Sequence, residues 1–177
     1  MLKNKVSEAI ARIQKWSSRY GETMYLGHSG GKDSCVITDL VLRAERSDVM
    51  IVHNPKPETH PETVKFLYEF AQVYPIVFVP PIKMGDFVEM MGFDAQLDGS
   101  RRAEHNRTER STDIIIDGKN VSRERMKSVV EEGIFGLTIL YPIYDWTDDE
   151  VWEYIETYKV RISDEYKAIR DSSPTRR

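Results

Sequence analysis

The chain has 177 residues, of which 40% are hydrophobic and 31% charged, a composition typical of one globular domain rather than of a disordered chain. Its formal net charge of -4 excludes a general electrostatic attraction to nucleic acid or to an anionic membrane. The single cysteine, Cys35, excludes a disulfide and a cysteine-ligated iron–sulfur cluster within one chain. We therefore expect a cytoplasmic protein with no membrane helix and no signal peptide.

Residues 1–20 have the periodicity of an amphipathic helix. Its apolar positions recur at three- and four-residue steps and are Leu2, Val6, Ala9, Ile10, Ile13 and Trp16. A first strand is predicted at 23–26, followed by a second helix that continues to about Arg46 and should bury Cys35. The run 49–52 is typical of a buried parallel strand, so the chain opens with a strand–helix–strand unit.

Residues 27–34, Gly-His-Ser-Gly-Gly-Lys-Asp-Ser, connect the first strand to the second helix. Two adjacent glycines allow a sharp turn, and the start of the helix adds unpaired N–H donors that suit a polyphosphate. Asp33 would repel a phosphate unless a divalent cation lay between them, so Mg²⁺ bound by Asp33 is predicted. We interpret this segment as a magnesium-nucleotide loop with the binding residues Ser29, Gly30, Gly31, Lys32, Asp33 and Ser34. The alternative is a serine–glycine turn whose charges face water.

Helices and strands are predicted to alternate up to residue 97. A helix begins at Pro61, a strand covers 76–79, a helix covers 85–91, and a fourth strand covers 93–97. Ligands of such α/β units bind beyond the carboxyl ends of the parallel strands. His53 and Asn54, which follow the second strand, are therefore predicted to lie at the nucleotide-binding edge of the sheet.

The segment 98–125 is rich in arginine and poor in apolar residues. Arg101 and Arg102 follow the fourth strand, and their planar guanidinium groups are predicted to clamp an oxyanion, with a solvated basic turn as the alternative. The turn dipeptide at 117–118, after three isoleucines, predicts a hairpin.

The C-terminal part contains a helix-start signal. Thr147 and Glu150 have the spacing of a capping box, which predicts a helix with Val151, Trp152 and Ile155 turned inward. Residues 164–177 are polar and are expected to form a flexible tail. Without a linker of domain-separating length, residues 1–177 are interpreted as one nucleotide-binding domain with an N-terminal helix at 1–20.

Three stretches, in the same order, resemble the phosphoadenosine phosphosulfate (PAPS) reductases of the PP-loop ATP pyrophosphatase superfamily. They are Ser-Gly-Gly-Lys-Asp-Ser at 29–34, Gly-Ser-Arg-Arg at 99–102 and the aromatic stretch 141–155. The resemblance implies an adenine nucleotide alpha hydrolase-like fold, a Rossmann-like three-layer α/β sandwich with a mainly parallel sheet. It also implies ATP or PAPS as substrate and catalytic roles for Lys32, Asp33, Arg101 and Arg102. Relatives often form homodimers, although this sequence does not determine the oligomeric state.

Two departures from the family pattern bear on the reaction. His53 and Asn54 stand where relatives carry Asp-Thr-Gly, so the resemblance does not specify how the adenosine part is recognised. The reductases carry a nucleophilic cysteine in a Glu-Cys-Gly-x-His motif, whereas no cysteine follows Cys35 here. Reduction of PAPS by this chain alone is therefore not expected.

Three functions stay open at the level of sequence. The first is cleavage of ATP between its α and β phosphates, with adenylyl transfer to an acceptor such as a small oxyanion, a nucleic-acid base or a carboxylic acid. The second is a sulfonucleotide reductase that uses the thiol of a partner. The third is a non-catalytic nucleotide-binding module.

Overall fold

The structure, a computed structural model, describes residues 1–56, 59–101, 114–116, 119–121, 130–132 and 136–171. The elements of the first half are α1 (Leu2–Tyr20), β1 (Met24–Gly27), α2 (Lys32–Arg43), β2 (Met50–His53), α3 (Pro61–Phe70), β3 (Ile76–Phe78), α4 (Met84–Met91) and β4 (Ala95–Leu97). They are followed by β5 (Ile114–Ile116), β6 (Lys119–Val121), β7 (Val130–Glu132), β8 (Thr138–Leu140), α5 (Asp148–Tyr158) and α6 (Asp164–Asp171). The predicted alternation of helices and strands up to residue 97 is confirmed, with boundaries shifted by a few residues.

β1 lies inside a six-stranded sheet with the strand order β3-β2-β1-β4-β8-β7. The first five strands in this order are parallel, and β7 is antiparallel to β8. Leu26 of β1 pairs with Ile51 of β2 on one side and with Leu97 of β4 on the other. The chain runs outward from β1 to β3 and then returns to β4 on the opposite side of β1. Open α/β sheets bind ligands at such a reversal of strand order, beyond the carboxyl ends of the strands.

Helices cover both faces of the sheet, which confirms the predicted three-layer sandwich. Met24 and Leu26 face the larger core, which contains apolar side chains of α1, α2, α3 and α5. Tyr25 faces the other side and packs with Phe87 of α4 and with Phe93. Because alternate strand residues face opposite sides, a strand covered on both faces is apolar throughout, as β1 is. Among the described helices, none is long and apolar enough to cross a lipid bilayer.

Two local predictions from the C-terminal half are confirmed. β5 and β6 pair as an antiparallel hairpin, with Ile116 opposite Lys119, although the turn at 117–118 lies outside the described residues. At the start of α5, the N–H of Glu150 donates to Oγ1 of Thr147 (3.2 Å), and the N–H of Thr147 donates to Oε2 of Glu150 (2.8 Å). These reciprocal bonds are the predicted capping box.

The expectation of a flexible tail from residue 164 is corrected by the structure, because residues 164–171 form α6. Glu165 accepts a hydrogen bond of 2.9 Å from Oγ1 of Thr63 on α3. Arg170 forms an ion pair with Glu156 of α5 and lies over the ring of Trp152. These partners come from distant elements, so the polar sequence of α6 carried no local signal of its packing. Residues 172–177 lie outside the described residues.

Candidate phosphate-binding site

The loop between β1 and α2 requires glycine at its sharpest point. Gly30 has a φ of 87°, in the left-handed region that L side chains rarely adopt. A Cβ atom at Gly30 would also lie 2.5 Å from Cγ2 of Thr63 on α3, closer than non-bonded carbon atoms approach. Position 30, at the turn predicted from the sequence, therefore requires glycine for both a conformational and a steric reason.

Two serines close the loop through hydrogen bonds. The N–H of Ser29 donates to Oγ of Ser34 (3.2 Å), the N–H of Gly31 donates to Oγ of Ser29 (3.2 Å), and the two hydroxyls are 2.9 Å apart. Gly31 is the N-cap of α2, and the first N–H groups of a helix have no acceptor within the helix. These N–H groups and the positive end of the helix dipole favour an anion at this position.

Behind the loop, the buried side chain of His28 supports the turn. Its Nδ1 accepts a hydrogen bond of 3.1 Å from the N–H of Gly30, and its Nε2 lies 3.8 Å from Sγ of Cys35. Burial lowers the pKa of His28 to about 3, so the imidazole is neutral and Nδ1 can accept. Cys35 is buried as predicted, and burial raises the pKa of its thiol, which removes it as a nucleophile.

Lys32 and Arg101 form a cluster of ion pairs with Asp33 and Asp148. Nζ of Lys32 lies 2.8 Å from Oδ2 of Asp33 and 3.1 Å from Oδ1 of Asp148. Nε of Arg101 lies 2.8 Å from Oδ1 of Asp33, and its Nη2 lies 3.0 Å from Oδ1 of Asp148. Although burial alone would raise the pKa of Asp148, the adjacent Lys32 and Arg101 lower it below its usual value. The cluster joins the start of α2, the segment after β4 and the start of α5.

A cavity of about 280 Å³ opens beside the loop, at the carboxyl ends of β1 and β4. It is lined by Gly27, Ser29, Gly31, Asp33, Ser34, Asp98, Gly99, Ser100 and Tyr166. A Cβ atom at Gly99 would lie 3.1 Å from the carbonyl carbon of Asp33, so glycine permits the close approach of this segment to α2. The volume lies just below the range of about 300–1,000 Å³ typical of ligand pockets, so it suits a phosphate chain better than an entire nucleotide.

The predicted binding residues of the loop occupy different places around the cavity. Its lining includes Ser29, Gly31, Asp33 and Ser34, whereas Gly30 faces α3 and Lys32 lies in the ion-pair cluster.

Of the other predicted site residues, the three that the structure describes, His53, Asn54 and Arg101, do not line the cavity. His53 is buried, and its Nδ1 lies 2.7 Å from the carbonyl oxygen of His28. Asn54 is exposed, and Arg101, which is 1% exposed, contacts Asp33 and Asp148. Arg102 lies outside the described residues.

Tyr166 lines the cavity although no sequence motif indicated it, and Asp98, Gly99 and Ser100 also line it without having been predicted as site residues. Tyr166 lies on α6, in the segment expected to be a flexible tail, and it reaches the start of α2. Its hydroxyl oxygen would be 3.2 Å from a Cβ atom at Gly31. Tyrosine and glycine are 135 positions apart in the chain, and no local motif links them.

Asp33, as arranged here, does not fit the predicted role of magnesium ligand. Each of its carboxylate oxygens lies 2.8 Å from a cationic nitrogen, Oδ1 from Arg101 and Oδ2 from Lys32. A hard divalent cation requires oxygen ligands that are not already occupied by other cations. Within the described residues, no group of three or more histidine, cysteine, aspartate and glutamate side chains could hold a metal ion.

Residues 81–169, half of the chain, match the phosphoadenosine phosphosulfate reductase domain. The chain belongs to this family. The match includes Arg101, α5 and most of α6, which border the ion-pair cluster and the cavity, and it begins after the glycine loop. A relative is the adenosine 5'-phosphosulfate reductase of Halalkalibacterium halodurans, which is 22% identical over 197 residues. That alignment covers 91% of this chain and 78% of the reductase.

Two solved structures show the same fold as this PAPS reductase-family chain. One is FMN adenylyltransferase of Candida glabrata in complex with ATP, with a TM-score of 0.69 and 14% sequence identity. The superposition covers 93% of this chain but 58% of the adenylyltransferase, so the chain spans less than two thirds of that protein. The other is the PAPS reductase of Candida auris in a phosphate complex, with a TM-score of 0.62, 14% identity, and coverage of 88% and 82% respectively. At these identities, the likeness concerns the fold alone.

Proposed function

We propose that this chain binds the phosphate groups of an adenine nucleotide in the cavity beside the glycine loop. We further propose that it cleaves ATP between the α and β phosphates and transfers the adenylyl group to an acceptor. The observation that carries the proposal is the position of the cavity, at the reversal of strand order, against the N-terminus of α2. The family supports an adenine nucleotide as the ligand, and ATP is bound by the adenylyltransferase of similar fold.

Adenylyl transfer requires charge stabilisation more than a covalent catalyst. An oxygen of the acceptor attacks the α phosphorus while the bond from that phosphorus to the bridging oxygen breaks. Pyrophosphate leaves with the bonding electrons, and an acceptor that carries a proton on the attacking oxygen loses it to the surrounding water, whereas an oxyanion has none to lose. The N–H groups at the start of α2 and the cation of Lys32 would stabilise the negative charge that develops on pyrophosphate.

Lys32 and Arg101 have different roles in this proposal. Lys32 carries its cation on a flexible stem, so Nζ can move from Asp148 towards a phosphate that enters the cavity. Arg101 is fully buried between Asp33 and Asp148, so it acts as a positioning residue that holds the starts of α2 and α5 together. An oxyanion clamp by Arg101, as predicted from the sequence, would need these ion pairs to break.

The test compares Lys32→Ala with Lys15→Ala, which removes an exposed lysine of α1 that lies outside the loop and does not line the cavity. Calorimetry measures the binding of pyrophosphate and of the non-cleavable ATP analogue AMPCPP, and a second assay measures pyrophosphate release from ATP with Mg²⁺ and candidate acceptors. We expect Lys15→Ala to match the unsubstituted protein and Lys32→Ala to bind both probes about tenfold more weakly or worse. If the unsubstituted protein binds neither probe, the proposal is wrong. Binding without pyrophosphate release for any acceptor would instead favour the non-catalytic module.

The second candidate is a sulfonucleotide reductase, which the similarity to the Halalkalibacterium halodurans enzyme favours. Such a reaction needs a thiolate to accept the sulfonate group, and Cys35 cannot supply it because its thiol is buried with a raised pKa. The thiol would therefore come from another protein. Tighter binding of adenosine phosphosulfate or PAPS than of ATP, together with sulfite release when a protein dithiol is added, would favour this function over adenylyl transfer.

A further inference from the structure

Helix α6 forms one wall of the cavity, and it contains none of the sequence motifs described above. Glu165 fixes the helix to α3 through the 2.9 Å hydrogen bond from Thr63, and Arg170 fixes it to α5 through its ion pair with Glu156. Arg161, just before the helix, adds an ion pair of 2.8 Å with Glu69 of α3. These anchors hold α6 against α3 and α5, beside the cavity.

That side chain is Tyr166, which lies one position after the anchor Glu165. It is half-buried, packs against the larger core, and lines the cavity near the N-cap of α2. Its hydroxyl would be 3.2 Å from a Cβ atom at Gly31, as is Oγ of Ser29. Two hydroxyls therefore converge on the backbone position at which an anion would meet the first N–H groups of α2.

We infer that Tyr166 is a ligand-binding residue whose hydroxyl donates a hydrogen bond to a phosphate oxygen of the bound nucleotide. This inference rests on the proposed function and extends it to a residue outside the glycine loop. A phenol is neutral at physiological pH and donates to phosphate without bringing another charge into the site. Hydrogen bonds from neutral donors to charged acceptors are stronger than those between two neutral groups.

The first test compares Tyr166→Phe and Tyr166→Ala in calorimetry with pyrophosphate and AMPCPP. We expect Tyr166→Phe to weaken the binding of both probes about tenfold or more, because both contain the phosphate group that the hydroxyl contacts. Equal affinity of Tyr166→Phe and the unsubstituted protein for both probes would overturn the inference while leaving the proposed function intact. A loss confined to Tyr166→Ala with AMPCPP would assign the ring to adenosine packing and would also overturn it. If the unsubstituted protein binds neither probe, both the inference and the proposed function are wrong.

A second test checks the position of Tyr166 without any ligand. Gly31→Ala should lower the free energy of unfolding by less in the Tyr166→Phe background than in the unsubstituted protein, because one of the two crowded oxygens is then absent. Gly92→Ala is the control, since Gly92 has a φ of 67° and no atom within 4 Å of an added Cβ. Its cost should be the same in both backgrounds. If Gly31→Ala and Tyr166→Phe lower the free energy of unfolding by additive amounts, the Tyr166 hydroxyl does not lie beside Gly31, and the inference is wrong.

Discussion

Gly30→Ala is the most direct test of why the phosphate-binding loop has its shape. The substitution must hold an alanine at a φ of 87°, which costs about 1–2 kcal/mol in the left-handed region. It must also fit a methyl group 2.5 Å from Cγ2 of Thr63, and overpacking of this kind costs about 1–3 kcal/mol. The variant should therefore lose about 2–5 kcal/mol of its free energy of unfolding.

Thr63→Ser separates the steric part of this cost from the conformational part. Serine lacks Cγ2 but keeps the hydroxyl that donates to Glu165, so the contact with α6 survives. By itself the substitution should cost about 1 kcal/mol for one buried methyl group. In its background, Gly30→Ala should cost close to the backbone contribution of about 1–2 kcal/mol. The other close neighbour, Cδ1 of Leu67 at 3.2 Å, belongs to a flexible side chain that can move slightly.

Urea unfolding of the four proteins, which are the unsubstituted chain, both single variants and the double variant, gives the coupling energy directly. Gly92→Ala serves as the control, because it has the backbone strain without the contact and should show no coupling with Thr63→Ser. Coupling of at least about 1 kcal/mol between Gly30 and Thr63 is expected. Strictly additive costs would refute the packing of the loop against α3.

Three further outcomes follow from the site. Asp148→Asn removes a carboxylate that lies beside both Lys32 and Arg101, so pyrophosphate should bind several-fold more tightly at low salt, with a smaller gain at high salt. Unchanged affinity in calorimetry would contradict this role. The pKa of His28 is lowered from 6.5 to about 3 in the folded chain, so its contribution to stability is complete above pH 6.5 and falls by about 1.4 kcal/mol per pH unit between 6.5 and 3. His28→Asn should remove this contribution to the pH dependence of the free energy of unfolding, measured by urea unfolding between pH 6.5 and 3. The same pH dependence in both proteins would disprove the role of His28. The thiol of Cys35 should react with a soluble disulfide reagent only as fast as the chain unfolds, because it is buried and its pKa is raised, and rapid reaction at pH 8 would show otherwise.

Much of the fold could be predicted because its signals are local. The period of apolar residues identified α1, the continuous apolar run identified β2, and the spacing of Thr147 and Glu150 identified the start of α5. The pair Gly30-Gly31 identified the turn before α2, in which Gly30 has a positive φ that glycine tolerates without strain. Each of these signals depends on residues within a few positions of one another.

The partners of the charged and polar side chains depended on tertiary structure. Arg101 was predicted to face an oxyanion, but in the part of the chain that the structure describes it forms ion pairs with Asp33 and Asp148, which belong to two other elements. The chain contains 29 acidic residues, and no local pattern identifies which of them will lie beside a given cation.

Sequence by itself therefore determined the glycine turn and the order of helices and strands around it. Tertiary structure decided that Lys32 and Arg101 are neutralised by carboxylates and that Tyr166 of α6 completes the cavity. The physical reason is that backbone conformation responds to neighbouring residues, whereas ion pairing and cavity walls depend on which distant segments the sheet brings together.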